Sequence, residues 1–463
     1  MQKLSLVSRL FSSSGPFWVF VQHGAGRIAV ALKFLVLARV LGPEGVGLIG
    51  VGLLAMAVAE ALSELGLMQA LVQRREALTQ AQLSAVWGWQ LLRAVLLGTG
   101  LALLAWPAAQ LFSIPEAFPI LALVGVLLLL RGSVNLSLTL ALRNMQMRRV
   151  GLFNSSFVLI DAVLGILVAW VTQSVLAVFV TMAVTEGVRW LASYRVFAPP
   201  PRPSLSREAS EFAAFGKWIW MNNILNFLLN QTDKFMVAKI VGVSGLGTYQ
   251  MAQRFAQLGV ADIGIMLSQY LFPKLSEQMR SDHQRAVELT LALLALMAAG
   301  GMAAVLTLNA LAEPLFVLLL GESWRAAAPV FGLLVGGMYG GLLTAVLVPF
   351  VKAEGKAWIV TGAALVQLLA LLALLYLLRA KGITGVAVAS SAAVWVAVLL
   401  ILTGALLYVE TVLQILRAQW GFWTLLAGCP LLTLWAPALW WVGASVALGL
   451  FAVRFSRLLR QLK

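Results

Sequence analysis

Ten basic residues stand inside or at the ends of long apolar stretches of this 463-residue chain: Arg27, Lys33, Arg39, Arg93, Arg131, Arg189, Lys217, Lys234, Lys239 and Arg254. A cation in hydrocarbon costs roughly 2.5 to 3.5 kcal/mol on insertion scales, so these side chains must face protein or water. Helical spacing groups them with uncharged polar residues. On the first apolar stretch Gln22, His23, Gly26, Arg27 and Lys33 fall within an arc of about 140°. On the seventh, Asn222, Asn223, Asn226, Asn230, Asp233 and Lys234 share about 120°, and on the eighth Tyr249, Gln250, Gln253, Arg254 and Gln257 share about 140°. Two arrangements satisfy such stripes. They line a wet cavity between helices, or they are interhelical hydrogen bonds worth about 0.6 kcal/mol apiece. Continuous stripes carrying Arg27 and Arg254, each about ten residues from a helix end and so close to the bilayer midplane, favour the cavity.

The sign of that cavity points to a ligand class. Arg27, Lys33, Lys234 and Arg254 outweigh Asp233, and the first stretch holds no acid ahead of its glycine turn, so an anion is expected. A guanidinium offers a planar fork to phosphate oxygens, whereas Asn and Gln both donate and accept, as sugar hydroxyls require. Phosphate plus sugar implies a lipid-linked saccharide. The buried acids are open to two readings. Asp161 shares a face with Asn154 and is expected to pair with Arg131 or Arg93, while Asp233, Glu60 and Glu64 could form ion pairs or serve an energy-coupling cation.

Composition dictates the elements that position these residues. With 61% hydrophobic and 11% charged residues, the chain exceeds what a soluble domain can bury. A span needs about 20 apolar residues at about 1.5 Å rise each. Fourteen candidates follow: 16–40, 44–72, 81–112, 116–142, 149–171, 174–197, 210–241, 244–273, 285–320, 326–351, 357–378, 383–408, 420–435 and 437–455. The expected fold class is therefore an all-α polytopic membrane protein. Residues 4–11 read as an amphipathic surface helix with Lys3 and Arg9 at the headgroups, and no cleavable signal is expected at the start.

The spans repeat. Ala38-Arg39-Val40-Leu41-Gly42-Pro43-Glu44-Gly45-Val46-Gly47 returns two hundred residues later as Ala238-Lys239-Ile240-Val241-Gly242-Val243-Ser244-Gly245-Leu246-Gly247, with four identities and four conservative changes. Each copy closes one apolar segment and opens the next, which predicts two parallel-repeat six-helix lobes followed by two C-terminal helices. The expected division is an N-lobe at 1–197, a proline-rich cytoplasmic linker at 198–209, a C-lobe at 210–408, and C-terminal helices with a basic tail at 409–463. Connections on the side of the N-terminus carry twenty Lys and Arg against three (Arg325, Arg379 and Lys381) on the other, which predicts cytoplasmic termini. The same bias accounts for most of the +15 net charge, so nucleic acid is not an expected partner.

Segments 37–74, LARVLGPEGVGLIGVGLLAMAVAEALSELGLMQALVQR, and 230–257, NQTDKFMVAKIVGVSGLGTYQMAQRFAQ, with the later YLFPKLSEQ, resemble the polysaccharide-export flippases of the multidrug, oligosaccharidyl-lipid and polysaccharide exporter superfamily. The resemblance implies an undecaprenyl-diphosphate-linked repeat unit as partner, carried from inner to outer leaflet of a bacterial inner membrane by alternating access. A polymerase of the same pathway is a further implied partner. Related murein-precursor flippases use cations on their first and eighth helices, which Arg27 and Arg254 resemble in placement.

Other chemistries find little support. A cation-coupled multidrug antiporter of the same fold would place acids where Arg27 and Lys33 stand. No outward loop is long enough for a catalytic domain, so no enzyme is expected. Gly45-x-Gly47-x-x-Gly50 follows a helix rather than a strand and is no dinucleotide fingerprint, and no P-loop occurs, so no cofactor is expected. His23 and His283 lack partners at metal-ligand spacing, and Cys429 cannot form an intrachain disulfide. Asn135, Asn154 and Asn230 open sequons inside spans, where no glycan could be attached.

Overall fold

In hydrocarbon, backbone N–H and C=O groups find partners only within the segment itself, and the apolar stretches of this chain accordingly become helices. A computed structural model describes the backbone of residues 16–64, 66–74, 78–111, 114–258, 262–408, 419–435 and 440–462. The predicted amphipathic start at 4–11 lies outside the described residues. The helices are α1 (Pro16–Ser63), α2 (Leu67–Gln73), α3 (Gln80–Leu111), α4 (Phe118–Gly132), α5 (Ser137–Arg143), α6 (Met147–Thr172), α7 (Val175–Val196) and α8 (Ser210–Ile240). There follow α9 (Val243–Ala256), α10 (Asp262–Ser281), α11 (His283–Ala310), α12 (Ala312–Leu320), α13 (Ala327–Ala353), α14 (Ala357–Leu378), α15 (Gly382–Tyr408), α16 (Trp420–Trp435) and α17 (Trp440–Leu462). Among the described residues the fold is all-α, as expected.

Among the described residues, eight stretches are long and apolar enough to cross a membrane by length and composition, and two of them, Gly26–Ser63 and Ala357–Leu407, each contain an internal break. Helices α8, α9 and α10 fall outside that set. Helix α9, at 14 residues, is too short for it, and the Asn, Gln, Lys and Arg residues of α8 and α10 dilute their apolar character, as suits helices bordering water rather than lipid.

The repeated turn has one backbone in both copies. Gly42 lies at φ 67°, ψ −175° and Gly242 at φ 86°, ψ −169°, a region that essentially only glycine enters. Three residues on, a Cβ at Gly45 would strike the Leu41 side chain and one at Gly245 the Val241 side chain. Of the glycines shared by the two copies, the 42/242 pair is thus required by backbone angles and the 45/245 pair by space.

Two other predicted spans are broken, the first where a polar side chain takes over backbone bonding. The predicted fourth span, 116–142, is α4 and α5 separated at Asn135, which is 1% exposed. Its Nδ2 donates to the carbonyls of Ser193 (3.2 Å) and Ala198 (2.9 Å), its backbone N–H donates to Ser193 Oγ, and its Oδ1 accepts from the Ser137 amide. The predicted ninth span, 285–320, divides into α11 and α12 near Leu311.

Two compact units result, Met1–Gln231 and Thr232–Lys463, with the division inside α8. In the first, α1 packs on α6, α3 on α4 and α4 on α7, around Leu37, Ile49, Ile120, Val124, Leu127 and Phe179. In the second, α13 packs against α10, α11 and α15, around Leu275, Leu291, Val346 and Phe350. Helices α16 and α17 add to this unit through α11, where Cys429 is buried with Ala299 and Ala447. Trp395, mid-span by sequence, donates its indole N–H to the Gly336 carbonyl at 3.0 Å and packs edge-on to Tyr339.

The proline-rich stretch is fastened to the first unit. Ser204 N–H donates to the Ser84 carbonyl at 2.9 Å, and Trp89 Nε1 donates to the Ser206 carbonyl, both on α3. Gly88 lies beneath the Ser204 backbone, where a Cβ would have no room.

Candidate functional site: two buried charge clusters and an accessible polar face

The first unit encloses a cavity of about 580 Å³ between α1, α4, α6 and α7. Lys33 enters it from α1. Its side chain is 5% exposed and its Nζ lies 2.7 Å from Asp161 Oδ2 on α6. One turn beyond Asp161, Gly165 leaves the space the lysine uses, since a Cβ there would stand 2.6 Å from Lys33 Cε. The expected partners of Asp161 were Arg131 or Arg93, and the structure corrects this: Asp161 binds Lys33. Arg131 instead binds Glu186 on α7 at 3.0 Å and Glu60 on α1 at 3.6 Å, and Arg93 donates to Ser63 Oγ at 3.1 Å.

Glu186 also receives Arg189 at 3.0 Å, and Arg189 reaches Asn154 Oδ1 at 3.3 Å. Sequence reasoning passed over Glu186. Its signal was the Glu186–Arg189 spacing of three within a predicted span, which places both on one helical face. Glu64, paired with Glu60 in the sequence reading, lies at the end of α1 and accepts from Gln69 Nε2 at 2.6 Å.

The second unit has its own buried charge. Asp233 on α8 is 4% exposed. Its Oδ2 accepts from the Tyr249 hydroxyl at 2.7 Å and from Gln253 Nε2 at 3.4 Å, and its Oδ1 accepts from the Lys234 amide at 2.8 Å with Lys234 Nζ at 3.5 Å. The Tyr249 hydroxyl in turn lies 3.1 Å from Ser390 Oγ on α15. Gln250 is buried, and Arg254 is half-buried.

Other residues of the predicted stripes remain accessible. Arg27 is exposed on α1, Asn222, Asn226 and Asn230 are exposed in a line on α8, and Gln257 is exposed beyond α9. The side chains of Gln22 and His23 lie outside the described residues. Arg27 belongs to the first unit and Arg254 to the second. Among the described residues, no three His, Cys, Asp or Glu side chains gather as a metal site, and His283 Nε2 lies 2.6 Å from Glu354 Oε1.

The fold is that of the multidrug, oligosaccharidyl-lipid and polysaccharide exporters. Lipid II flippase MurJ in its inward closed conformation superposes with a TM-score of 0.68 over 96% of this chain and 99% of that one, at 13% identity. An inward-facing multidrug resistance MATE family transporter gives 0.58 over 85% and 99%, also at 13% identity. The polysaccharide biosynthesis protein family model matches residues 36–329, more than half of the chain, and the protein belongs to that family. The succinoglycan biosynthesis transport protein ExoT of Rhizobium meliloti is 28% identical over 73% of this chain and 69% of its own length. The lipopolysaccharide biosynthesis protein WzxC of Escherichia coli is 22% identical over 68% of this chain and 66% of its own. This chain is a multi-pass membrane transporter of polysaccharide biosynthesis.

Proposed function

We propose that the protein flips an anionic lipid-linked oligosaccharide, an undecaprenyl-diphosphate-linked repeat unit, from the inner to the outer leaflet of a bacterial inner membrane, by alternating access of two lobes with both termini cytoplasmic. The observation that carries this reading is the exposure of Arg27 on α1, of Asn222, Asn226 and Asn230 in a line on α8, and of Gln257 just beyond α9. Exposed polar groups arranged in this way in a membrane protein are tolerated where water or a polar ligand reaches them.

Arg27 and Arg254 are assigned to the diphosphate and the amides to the glycan. Lys33 is left out of the grip because its charge is neutralised by Asp161. The names of ExoT and WzxC support an extracellular-polysaccharide or lipopolysaccharide precursor as cargo. A polymerase acting on the same repeat unit is the partner that would consume the product.

Arg27→Ala or Arg254→Ala is expected to abolish polymer export while the protein remains inserted, with lipid-linked intermediate accumulating in the inner leaflet. Lysine at either position restores transport in part, because it keeps the charge and loses the fork. Asn226→Ala weakens transport modestly, since a sugar hydrogen bond can be replaced by water. Wild-type export by both arginine-to-alanine variants at normal expression would remove the anionic-cargo assignment.

A further inference from the structure

The two copies of the repeated turn set a register for the helices that precede them. Nine residues before its positive-φ glycine, α1 carries Lys33; nine residues before Gly242, α8 carries Asp233. Both residues are 4% exposed. One helical position, equally buried in each unit, therefore holds a cation in the first copy and an anion in the second.

The surroundings of Lys33 leave one carboxylate to balance a cation. Asp161 supplies a carboxylate whose Oδ2 takes the ammonium at 2.7 Å, while its Oδ1 is buried with no hydrogen-bond partner among the described residues. Asn154 and Thr185 also line the cavity, with Asn154 Oδ1 accepting from Arg189 and the Thr185 hydroxyl donating to the Thr181 carbonyl. The other acids are taken: Glu186 binds Arg131 and Arg189, and Glu60 binds Arg131. Asp161 is thus the acid left to balance a cation here, and Lys33 balances it. An ammonium is close in size and charge to a dehydrated potassium ion and can neutralise the same carboxylate, with the difference that here it is tethered. Gly165, whose missing side chain makes room for the lysine stem, completes a slot shaped for it.

We propose that the cavity of the first unit is a monovalent-cation site that the chain occupies with its own Lys33 ammonium. It follows that this unit at rest takes up no sodium or potassium ion, and that any inorganic-cation dependence of transport resides elsewhere in the chain. Removing the tether should open the site to free cations of the same class. Removing Asp161 as well should abolish it.

The test is thermal unfolding of the purified full-length protein at constant ionic strength, in sodium, potassium, methylammonium or bulky N-methyl-D-glucamine chloride. Wild type is expected to melt at the same temperature in all four. Lys33→Ala should melt several degrees lower in the bulky cation, and methylammonium or potassium should restore about half of the loss or more in a saturable way. Lys33→Met with Asp161→Asn, uncharged and similar in shape, should fold and show no such response. A folded Lys33→Ala that ignores every cation would overturn the proposal. So would a saturable, Asp161-dependent stabilisation of the wild type by sodium or potassium, and this arm decides the matter even where Lys33→Ala does not accumulate. None of these measurements uses cargo, so their outcome is independent of the assignment of Arg27 and Arg254.

Discussion

Asn135 and Asn226 are the same residue type in two different segments of the first unit, and their surroundings give them opposite roles. Asn135 is enclosed and spends its side chain on two carbonyls and an amide at the break between α4 and α5. Asn226 is exposed on α8. Truncating the first strands buried backbone groups, each costing about 1–3 kcal/mol, so Asn135→Ala is expected to lose about 2–3 kcal/mol in thermal or denaturant unfolding. Truncating the second should change stability by less than about 0.5 kcal/mol and show itself in transport instead. Equal destabilisation by the two would mean that the α8 amides bind neighbouring helices rather than water and cargo.

At the scale of the element, the glycine breaks decide how one apolar run becomes two spans. Gly42 and Gly242 have nothing within 4 Å of a hypothetical Cβ, so space is no obstacle there; the backbone angles are. Alanine in that region costs about 1–3 kcal/mol, and Gly42→Ala and Gly242→Ala are each expected to lower stability by that amount. Gly100, inside α3 and likewise free of neighbours, provides the control. Alanine there should be neutral or stabilising by up to about 1 kcal/mol, because it relieves only the chain entropy of glycine. Matching losses at 42 and 242, with none at 100, would show in unfolding measurements that the two turns are mechanically equivalent.

At the scale of the molecule, orientation follows from the distribution of basic residues rather than from any contact. Single cysteines at Ser206 and Glu322, in a Cys429→Ala background, are expected to differ in labelling by an impermeant thiol reagent on intact cells. Glu322 should react and Ser206 should be protected. Ser206 stands in the stretch fastened to α3, and Glu322 in the turn after α12, paired with Arg325 at 3.0 Å. The reverse pattern would invert both the topology and the direction of transport assigned to the protein.

Much of this architecture is determined by the sequence alone, since hydropathy and backbone chemistry act over short stretches. The eleventh and thirteenth predicted spans, 357–378 and 420–435, coincide with α14 and α16, and the repeated glycine turn was readable because only one residue type tolerates its angles. Charge pairing is a different matter. Lys33 was grouped with Arg27 because both lie on one face of one helix, and Asp161 was matched to the wrong arginines. The true pair joins residues 128 positions apart, and nothing in the helical spacing of Glu186 tells that it gathers Arg131 as well as Arg189. Helical periodicity tells which residues share a face but leaves open which neighbouring helix that face meets, and at what rotation. A buried charge is neutralised by whichever opposite charge the packing brings within about 3 Å, so its partner is settled only when the helices are in place.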